Sequence, residues 1–239
     1  MRRRGRGRSL RLALGLSVVA CTGAAQETGP GMNTLTEAER AAGWRLLFDG
    51  KSTEGWRGYG EPTIPAGWQV VDGALTRVGR GRDIVTTETF ADFELALEWK
   101  VEPGGNSGIM YRGIEGPPWL YHSAPELQVL DDERHADGKS PLTSAGSVYG
   151  LYPAPRGVVR PAGEWNRVRL VVQGAHVEHW LNGSKVAEYE LGSEDWRARV
   201  AASKFAQWPQ YGQAARGVIG LQDHGDRVMF RSIKIRVLP

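Results

Sequence analysis

Two pairs of polar side chains recur at a spacing that can place them on one surface of a sheet. Glu126 and Gln128 interrupt one apolar segment, and Gln222 and His224 end another, which covers residues 217–224. Residues two apart on a strand point to the same face. A carboxyl and an imidazole can transfer protons near neutral pH, and amides can bind hydroxyl groups. The spacing therefore indicates a polar site on one face of a sheet.

Arg112 is expected on the same surface. It follows Gly108 and Met110 at even spacing, which predicts that these three residues share a face. Gly108 and Gly220, without side chains, would leave space above the sheet. One polar residue on a half-exposed strand is ordinary, but several on strands distant in sequence are typical of a shared groove. The alternative for Arg112 and Glu126 is an exposed cross-strand ion pair with no further role.

The elements that must carry these residues are short β-strands. Alternating or apolar segments are separated by turn residues along most of the chain. Asp72-Gly73 and Asn182-Gly183 favour the positive-φ turns that close hairpins. The predicted strands are Trp68–Val71, Ala74–Val78, Phe93–Val101, Gly108–Arg112, Glu126–Leu130, Trp165–Val172, Val177–Leu181, Lys185–Leu191, Gly217–Gln222 and Val228–Val237.

The fold predicted from this pattern is an all-β sandwich of two antiparallel sheets with one short N-terminal helix. The helix is expected between Thr36 and Gly43, with Thr36 as N-cap and Glu39 in the capping-box position. Residues 194–207 lack strand alternation and are expected to be irregular or helical. Many short strands without long helices between them are typical of a sandwich or jelly roll.

Residues 1–20 have the pattern of an export signal. An arginine cluster precedes the apolar run 12–20, which ends at Cys21, the only cysteine. Val18–Cys21 resembles a bacterial lipobox, so Cys21 is expected to be lipid-modified, the alternative being an ordinary signal peptide. Residues 21–35 are expected to be a flexible tether and residues 36–239 one domain. These features predict a periplasmic or outer-membrane-anchored protein that contacts the membrane only through the lipid.

The charge of the chain gives no reason to expect a nucleic-acid partner. The full chain has 30 basic and 27 acidic residues, a formal charge of +3. Removing the six arginines of residues 1–20, which contain no acidic residue, leaves 24 basic against 27 acidic residues, a charge of −3. The basic character of the whole sequence therefore belongs to the export signal and not to the domain.

A set of motifs, taken in order along the chain, resembles the 3-keto-disaccharide hydrolase family. The resemblance covers about residues 43–238 and includes a closing strand at Val228–Ile235. It implies a concanavalin-A-like jelly roll, a concave sugar-binding face, and hydrolase or lyase action on 3-keto-glycosides. The motifs are Leu46–Trp56, Asn106–Arg112, Glu126–Asp131, Gly163–Asn166, Leu181–Gly183 and Gly217–Gly225.

The resemblance gives the polar residues a chemical role on a mono- or oligosaccharide. Oxidation of a sugar at C3 makes the hydrogen on C2 acidic, so a base can remove it and expel the C1 glycosyl group before water adds. His224 and Glu126 are the candidates for base and acid, with the choice between them open. Arg112 would stabilise the enolate oxygen or orient Glu126. Hydroxyl recognition falls to Gln128, Gln222, Asn106 and Tyr149, and stacking against the sugar to Trp119 or Trp208.

Two other functions stay open. A non-catalytic, lectin-like domain would bind sugar without needing a titratable pair. A retaining glucanase would need two carboxylates about 5–5.5 Å apart, and Glu126 and Asp131 could meet only through a bulge, because their spacing is odd. A divalent metal is possible on His224, Glu126 and Asp131, although no metal-binding spacing supports it. Surface or structural positions are expected for the other histidines, His122, His135, His176 and His179.

Overall fold

The computed structural model describes residues 31–239 together with Met1, so the predicted export signal, Cys21 and the segment 22–30 lie outside the described residues. The described part is a sandwich of two antiparallel sheets, which confirms the predicted all-β class. The strands are β1 (Arg45–Leu46), β2 (Trp56–Gly58), β3 (Trp68–Val71), β4 (Ala74–Arg77), β5 (Ile84–Thr86), β6 (Phe93–Val101), β7 (Asn106–Gly113), β8 (Glu126–Leu130), β9 (Asn166–Gln173), β10 (His176–Leu181), β11 (Ser184–Glu190), β12 (Val218–Leu221) and β13 (Val228–Val237).

The two sheets differ in size. The large sheet has the strand order β11-β10-β9-β6-β13-β4-β3, with β1 paired to β13, and the small sheet has the order β2-β5-β12-β7-β8. The main apolar core lies between them. On β8, Leu127 and Val129 enter this core, whereas Glu126 and Gln128 point to the outer face of the small sheet. This alternation is the one that the sequence predicts.

Both predicted hairpin turns are present. Asp72 and Gly73 join β3 to β4 with φ values of 50° and 72°, and Asn182 and Gly183 join β10 to β11 with values of 50° and 87°. Positive φ at both central residues is the signature of the type I′ turn, whose twist matches that of a hairpin. The turn chemistry therefore sets the register next to each turn, although the register of β10 and β11 shifts once, between His179 and Trp180.

In the described part of the chain, two short α-helices accompany the sheets. The predicted N-terminal helix is α1 (Glu37–Ala41), and its capping box is formed, since Glu39 N donates to Thr36 Oγ1 (3.1 Å) and Thr36 N to Glu39 Oε2 (2.9 Å). The second helix, α2 (Glu194–Ala201), lies where an irregular or helical segment was expected. Within the described residues, no helix has the length and apolar character needed to cross a membrane.

The start of the domain differs from the prediction. Asn33, placed by the sequence in a flexible tether, is only 8% exposed. Its Nδ2 donates to Gly73 O (2.8 Å), and its Oδ1 accepts from Ser232 N (2.8 Å). The prediction that residue 33 lies in a flexible tether is therefore wrong, because hydrogen bonds to the β3–β4 turn and to β13 attach Asn33 to the large sheet. Composition alone could not indicate these partners.

Candidate active site

A cavity of about 200 Å³ lies on the outer face of the small sheet and collects most of the polar residues singled out from the sequence. It is formed by β7, β8, the segment after β12 and three segments outside the sheets. Six lining residues belong to the predicted set, namely Asn106, Glu126, Gln128, Tyr149, Gln222 and His224. Three further lining residues were not predicted, namely Tyr121, Lys204 and Phe205.

The pairing of β7 with β8 places the carboxyl group of Glu126 at the floor of this cavity. Glu126 lies opposite Met110, and Gln128 lies opposite Gly108, with no shift of register along the pair. A Cβ at position 108 would overlap the carboxyl oxygen of Glu126. Gly108 therefore creates the space that Glu126 occupies, as the sequence predicts from the small residue on this strand.

Glu126 is buried and carries a strongly shifted pKa. Its residue exposure is 5%. Burial raises the pKa of Glu126 to about 8, the nearby charge of Lys204 opposes the shift, and the carboxylates of Asp83 and Asp137 add to it. Desolvation favours the neutral form of a carboxyl group, and like charges do the same. A pKa near neutrality suits a group that gives and takes a proton in one reaction cycle.

Three amide side chains that line the cavity with Glu126 have atoms without a hydrogen bond to any described residue. They contribute four of the eight buried side-chain atoms in this state among the described residues: Gln128 Nε2, Gln128 Oε1, Asn106 Oδ1 and Gln222 Oε1. Most buried polar atoms in native proteins are hydrogen-bonded, so a cluster of unpaired ones requires an explanation. These atoms all belong to side chains that line the cavity. A ligand rich in hydroxyl groups would satisfy them.

His224 lies at the edge of the cavity on a loop that is held from both sheets. Arg77 of β4 donates through Nε to Asp223 Oδ1 (2.7 Å) and through Nη1 to Gly225 O. On the other side, Asp223 N donates to Asp83 Oδ1 (2.9 Å). The His224 side chain between these anchors is 48% exposed. The loop therefore presents an accessible imidazole from a backbone that is anchored on both sides of His224.

His135, which was expected to be structural or on the surface, lies beside the predicted site residues. Its Nε2 is 3.4 Å from Asn106 Nδ2, and its ring centre is 6.0 Å from that of His224. Asp137, two residues later, accepts a hydrogen bond from Tyr149 Oη (3.1 Å). The segment 135–137 therefore contacts two residues that line the cavity, Asn106 and Tyr149. No strand pattern in the sequence marks this segment.

Lys204 is the one lysine or arginine that lines the cavity. It begins the 3-10 turn Lys204–Gln207, which follows α2. Its Nζ lies 4.4 Å from the ring centre of Tyr149 and 5.7 Å from that of Tyr121. A cation near aromatic faces is attracted by their negative potential. Sequence reasoning missed Lys204 because a residue outside the strands has no alternation that gives its direction.

The prediction that Arg112 shares the face of Gly108 is wrong. Arg112 has φ of 50°, and the β7–β12 register shifts beside it. Its guanidinium donates to Ala91 O (2.9 Å) and Gly174 O (2.8 Å) and pairs with Asp92 Oδ1 (3.0 Å). The expected pair with Glu126 is therefore not formed, because a bulge reverses the alternation on which that expectation depends.

The two tryptophans assigned to sugar stacking lie in different surroundings. Trp119 lines a second cavity next to the first. Trp208 lies outside both of these cavities and stacks on His122 with ring centres 4.1 Å apart. It also contacts the edge of Tyr121, at 5.4 Å between ring centres. Trp208 therefore supports a cavity residue, whereas Trp119 can contact a ligand.

Asp131 does not join Glu126 in a carboxylate pair. Its Oδ2 accepts from Gly104 N (2.7 Å) and its Oδ1 from Glu133 N (3.1 Å), and it is not among the residues that line the cavity. No bulge interrupts the β7–β8 pairing that leads to it. The geometry that a retaining glucanase would need between these two acids is therefore not formed.

The residues considered as metal ligands do not form a ligand group. Among the described residues, the one set of three ligand atoms within 4.8 Å of one another is His176, Glu178 and Glu188. These residues lie on β10 and β11 at the edge of the large sheet. Lys185 Nζ also contacts Glu178 Oε1 (3.0 Å) and Glu188 Oε2 (2.7 Å). The carboxylates of this group are thus already paired with a lysine.

Known proteins share this fold and much of this sequence. Residues 43–236 match the family described as 3-keto-alpha-glucoside-1,2-lyase-like domain. A Bacteroides thetaiotaomicron protein named 3-keto-disaccharide hydrolase is 38% identical, over 87% of this chain and 82% of that protein. A crystal structure from Parabacteroides distasonis, provisionally named a glycosyl hydrolase, gives a TM-score of 0.81 at 37% identity, over 87% of this chain and 100% of that one. A second from that organism, with the same provisional name, gives 0.67 at 31% identity, over 82% and 99%.

The match covers most of the described chain and confirms the family that the motifs indicate. It extends from the residues before β1 to Arg236 in β13 and includes every residue that lines the cavity. The Bacteroides thetaiotaomicron relative is 38% identical over most of both chains. This protein is therefore a carbohydrate-cleaving enzyme, and it belongs to the 3-keto-alpha-glucoside-1,2-lyase-like family.

Proposed function

We propose that the enzyme cleaves 3-keto-glycosides by elimination across C1 and C2 of the oxidised sugar, followed by addition of water. The observation that carries this proposal is Glu126, a buried carboxyl of raised pKa on the floor of a cavity with unpaired amides. A ketone at C3 makes the C2 hydrogen acidic, and its removal needs a base close to the carbon. The name of the Bacteroides thetaiotaomicron relative supports the same substrate class.

The first step is removal of the C2 proton by the carboxylate of Glu126. The electron pair of the C–H bond moves toward C3, which gives an enolate. A pKa of about 8 makes Glu126 a stronger base than an exposed carboxylate and leaves part of it deprotonated at neutral pH. Lys204 supplies positive charge near the enolate oxygen, the role that sequence reasoning gave to Arg112.

The second step is loss of the glycosyl group from C1. The enolate re-forms the C3 carbonyl, a C1–C2 double bond forms, and the C1–O bond breaks. Protonated His224, exposed at the edge of the cavity, gives its proton to the departing oxygen. Water then adds to C1 and returns a proton to His224, while Glu126 returns its proton to C2. Both residues end as they began, and the net reaction is hydrolysis.

The unpaired amides bind the sugar ring during these steps. Gln128 offers both an acceptor and a donor, and Asn106 and Gln222 each offer an acceptor oxygen. Hydroxyl groups can satisfy acceptors and donors at once. A site built from buried, unpaired amides rejects ligands that lack those hydroxyls, because the amides would stay unsatisfied.

The test is incubation with a 3-keto disaccharide and with the unoxidised parent disaccharide, followed by mass spectrometry of the products. The proposal predicts release of 3-keto-glucose from the oxidised substrate only, and loss of this activity in Glu126→Gln. Cleavage of the parent sugar would contradict the proposal and indicate an ordinary glycosidase. Tight binding without turnover would also contradict it and favour a lectin-like domain.

We also propose that the enzyme is exported and anchored through a lipid on Cys21. The arginine cluster and the lipobox-like Val18–Cys21 support this proposal. Expression in a Gram-negative host should give a membrane-associated, lipid-labelled protein, and Cys21→Ser should release it into the soluble fraction without the label. Equal distribution of both proteins would contradict the lipid anchor.

A further inference from the structure

A second cavity of about 200 Å³ adjoins the active-site cavity. The two share Tyr121, Gln222 and His224 as lining residues. Beyond this shared border, the second cavity is lined by Gly81, Arg82, Asp83, Trp119 and Asp223. A ligand that fills the first cavity and extends past His224 therefore enters the second.

Trp119 is the most distinctive residue of this second cavity. It is 48% exposed, and no other aromatic side chain in the described part of the chain appears among the exposed large hydrophobic residues. The guanidinium of Arg82 lies 5.7 Å from the ring centre. An exposed tryptophan combines a large apolar face with a polar edge, which suits contact with the face of a hydroxylated ring.

The loop that carries Trp119 is held in place. The hydroxyl of Tyr59 lies 2.8 Å from Pro117 O and 3.0 Å from Ile114 O. Arg57 Nη1 contacts Glu115 Oε1 at 2.5 Å. A contact residue that is fixed before binding loses less conformational freedom on binding. The exposed ring is therefore presented by a preorganised loop.

Polar groups accompany the ring. Asp83 is 8% exposed, and its Oδ1 accepts from Asp223 N (2.9 Å). No donor among the described residues reaches its Oδ2. Besides its contact with the Trp119 ring, the Arg82 guanidinium has only a long contact with Glu61 among the described residues, at 3.8 Å, so it can donate to a ligand. A cavity that has an exposed aromatic ring, an acceptor and donors in its lining fits a sugar better than a flat aromatic group, which would leave the polar groups unpaired.

We infer that this second cavity is the subsite for the leaving group and takes a glycosyl residue, with Trp119 against its ring. The inference rests on the proposed function, because it places the bond that breaks beside His224, at the border of the two cavities. The first cavity then holds the oxidised ring and the second holds the sugar that departs. The enzyme should therefore cleave oxidised disaccharides with a higher kcat/KM than oxidised glycosides with small aglycones.

The test compares three substrates that share the oxidised ring and differ in the leaving group. These are a 3-keto disaccharide, methyl 3-keto-glucoside and phenyl 3-keto-glucoside. Trp119→Ala should lower kcat/KM for the disaccharide by roughly 10- to 100-fold more than for the methyl glycoside. Arg82→Ala should act in the same direction with a smaller effect.

Trp165→Ala is the matched control. Trp165 lies next to β9 of the large sheet, where the guanidinium of Arg231 is 3.9 Å from its ring centre. This variant should leave kcat/KM for all three substrates unchanged.

Three outcomes in the Trp119 variant would overturn the inference and leave the proposed function intact. If Trp119→Ala lowers kcat/KM equally for the disaccharide and the methyl glycoside, Trp119 does not contact the leaving group. The same conclusion follows if kcat/KM falls for neither substrate. A loss on the phenyl glycoside that exceeds the loss on the disaccharide would assign the subsite to an aromatic leaving group. Failure of the unmodified enzyme to cleave any oxidised substrate would instead overturn the proposed function, and with it the subsite.

Discussion

The outer face of each sheet carries a buried carboxyl group, and the two groups differ in their hydrogen-bond partners. Glu94 on the large sheet is 4% exposed, and Glu126 on the small sheet is 5% exposed. Glu94 accepts hydrogen bonds from Arg169 and from Arg236. The carboxyl group of Glu126 accepts no hydrogen bond from any described residue, and its pKa is raised to about 8, mainly by burial. The two carboxyl groups are equally buried, so the difference lies in their partners. Glu94 is neutralised by arginines and is structural, whereas Glu126 is unpaired and available for chemistry.

The largest effect is expected when the two carboxyl groups are replaced in turn by the matching amide. Glu126→Gln removes the proton acceptor, so kcat on a 3-keto disaccharide should fall by about 10²- to 10⁴-fold while the fold is kept. Glu94→Gln should lower the free energy of unfolding by about 1–3 kcal/mol, because it weakens charged hydrogen bonds, and should keep kcat. Steady-state kinetics and urea unfolding of both variants measure the two effects. A loss of stability without loss of kcat in Glu126→Gln, or a large loss of kcat in Glu94→Gln, would contradict the comparison.

The pH dependence of stability gives the next effect. Below the ordinary pKa of 4.5, Glu126 is protonated in the folded and unfolded states. As the pH rises from 4.5 to about 8, the unfolded chain releases this proton while the folded protein retains it, so the folded state loses stability. Glu126→Gln does not titrate. Its unfolding free energy relative to wild type should therefore increase by a few kcal/mol across this range and level off above pH 8.

Urea unfolding of both proteins at several pH values measures this difference. A difference that stays constant between pH 4.5 and 8 would show that the carboxyl group is not desolvated as the structure indicates.

A smaller effect concerns the amides of the two sheets. Gln128 is buried with both amide atoms unpaired, whereas Asn166 Oδ1 on the large sheet accepts from Arg160 N (2.8 Å) and Asn182 Nδ2 (2.8 Å). Gln128→Leu should raise the free energy of unfolding by about 1 kcal/mol and raise KM, because it removes an unpaired group that binds substrate. Asn166→Leu should destabilise the fold by about 1–3 kcal/mol and leave KM unchanged.

Thermal or urea unfolding together with Michaelis–Menten kinetics distinguishes the two variants. Destabilisation by Gln128→Leu with an unchanged KM would indicate that Gln128 is a structural residue.

The smallest effect is expected on the exposed part of the large sheet. Arg167 contacts Glu98 Oε1 at 3.1 Å, but its side chain is 75% exposed. Exposed ion pairs contribute about 0–1 kcal/mol. Arg167→Ala should therefore change the free energy of unfolding by less than about 1 kcal/mol and leave kcat/KM unchanged. A large loss of activity would show that the paired face also takes part in the reaction.

Much of the fold could be predicted because its signals are local. The strands Phe93–Val101, Glu126–Leu130 and Val228–Val237 are observed with the predicted bounds. The Asp72-Gly73 and Asn182-Gly183 turns carry their backbone requirement in their own residue types. Asn33 shows the limit, because its partners Gly73 and Ser232 are far away in sequence.

The candidate site was predictable where a strand gave the direction of each side chain. Glu126 and Gln128 line the cavity because β8 alternates regularly. Arg112 was misplaced because a bulge and a positive φ reverse its side chain, and no residue type in the sequence marks that change. Lys204 and His135 were missed because they belong to segments outside the strands, which only tertiary packing brings to the cavity.

The central claim is that Glu126 takes the C2 proton of an oxidised sugar, and the fate of that proton tests it most directly. Cleavage of a 3-keto disaccharide in deuterium oxide should give 3-keto-glucose with deuterium at C2, since Glu126 exchanges its proton with solvent. The product incubated alone, and with Glu126→Gln, corrects for spontaneous exchange. A 3-keto disaccharide that carries deuterium at C2 should also be cleaved more slowly than the unlabelled one, because its C–D bond must break. A product that retains its original hydrogen at C2, together with equal rates for the two substrates, would show that the glycosidic bond breaks without proton removal and would contradict the mechanism.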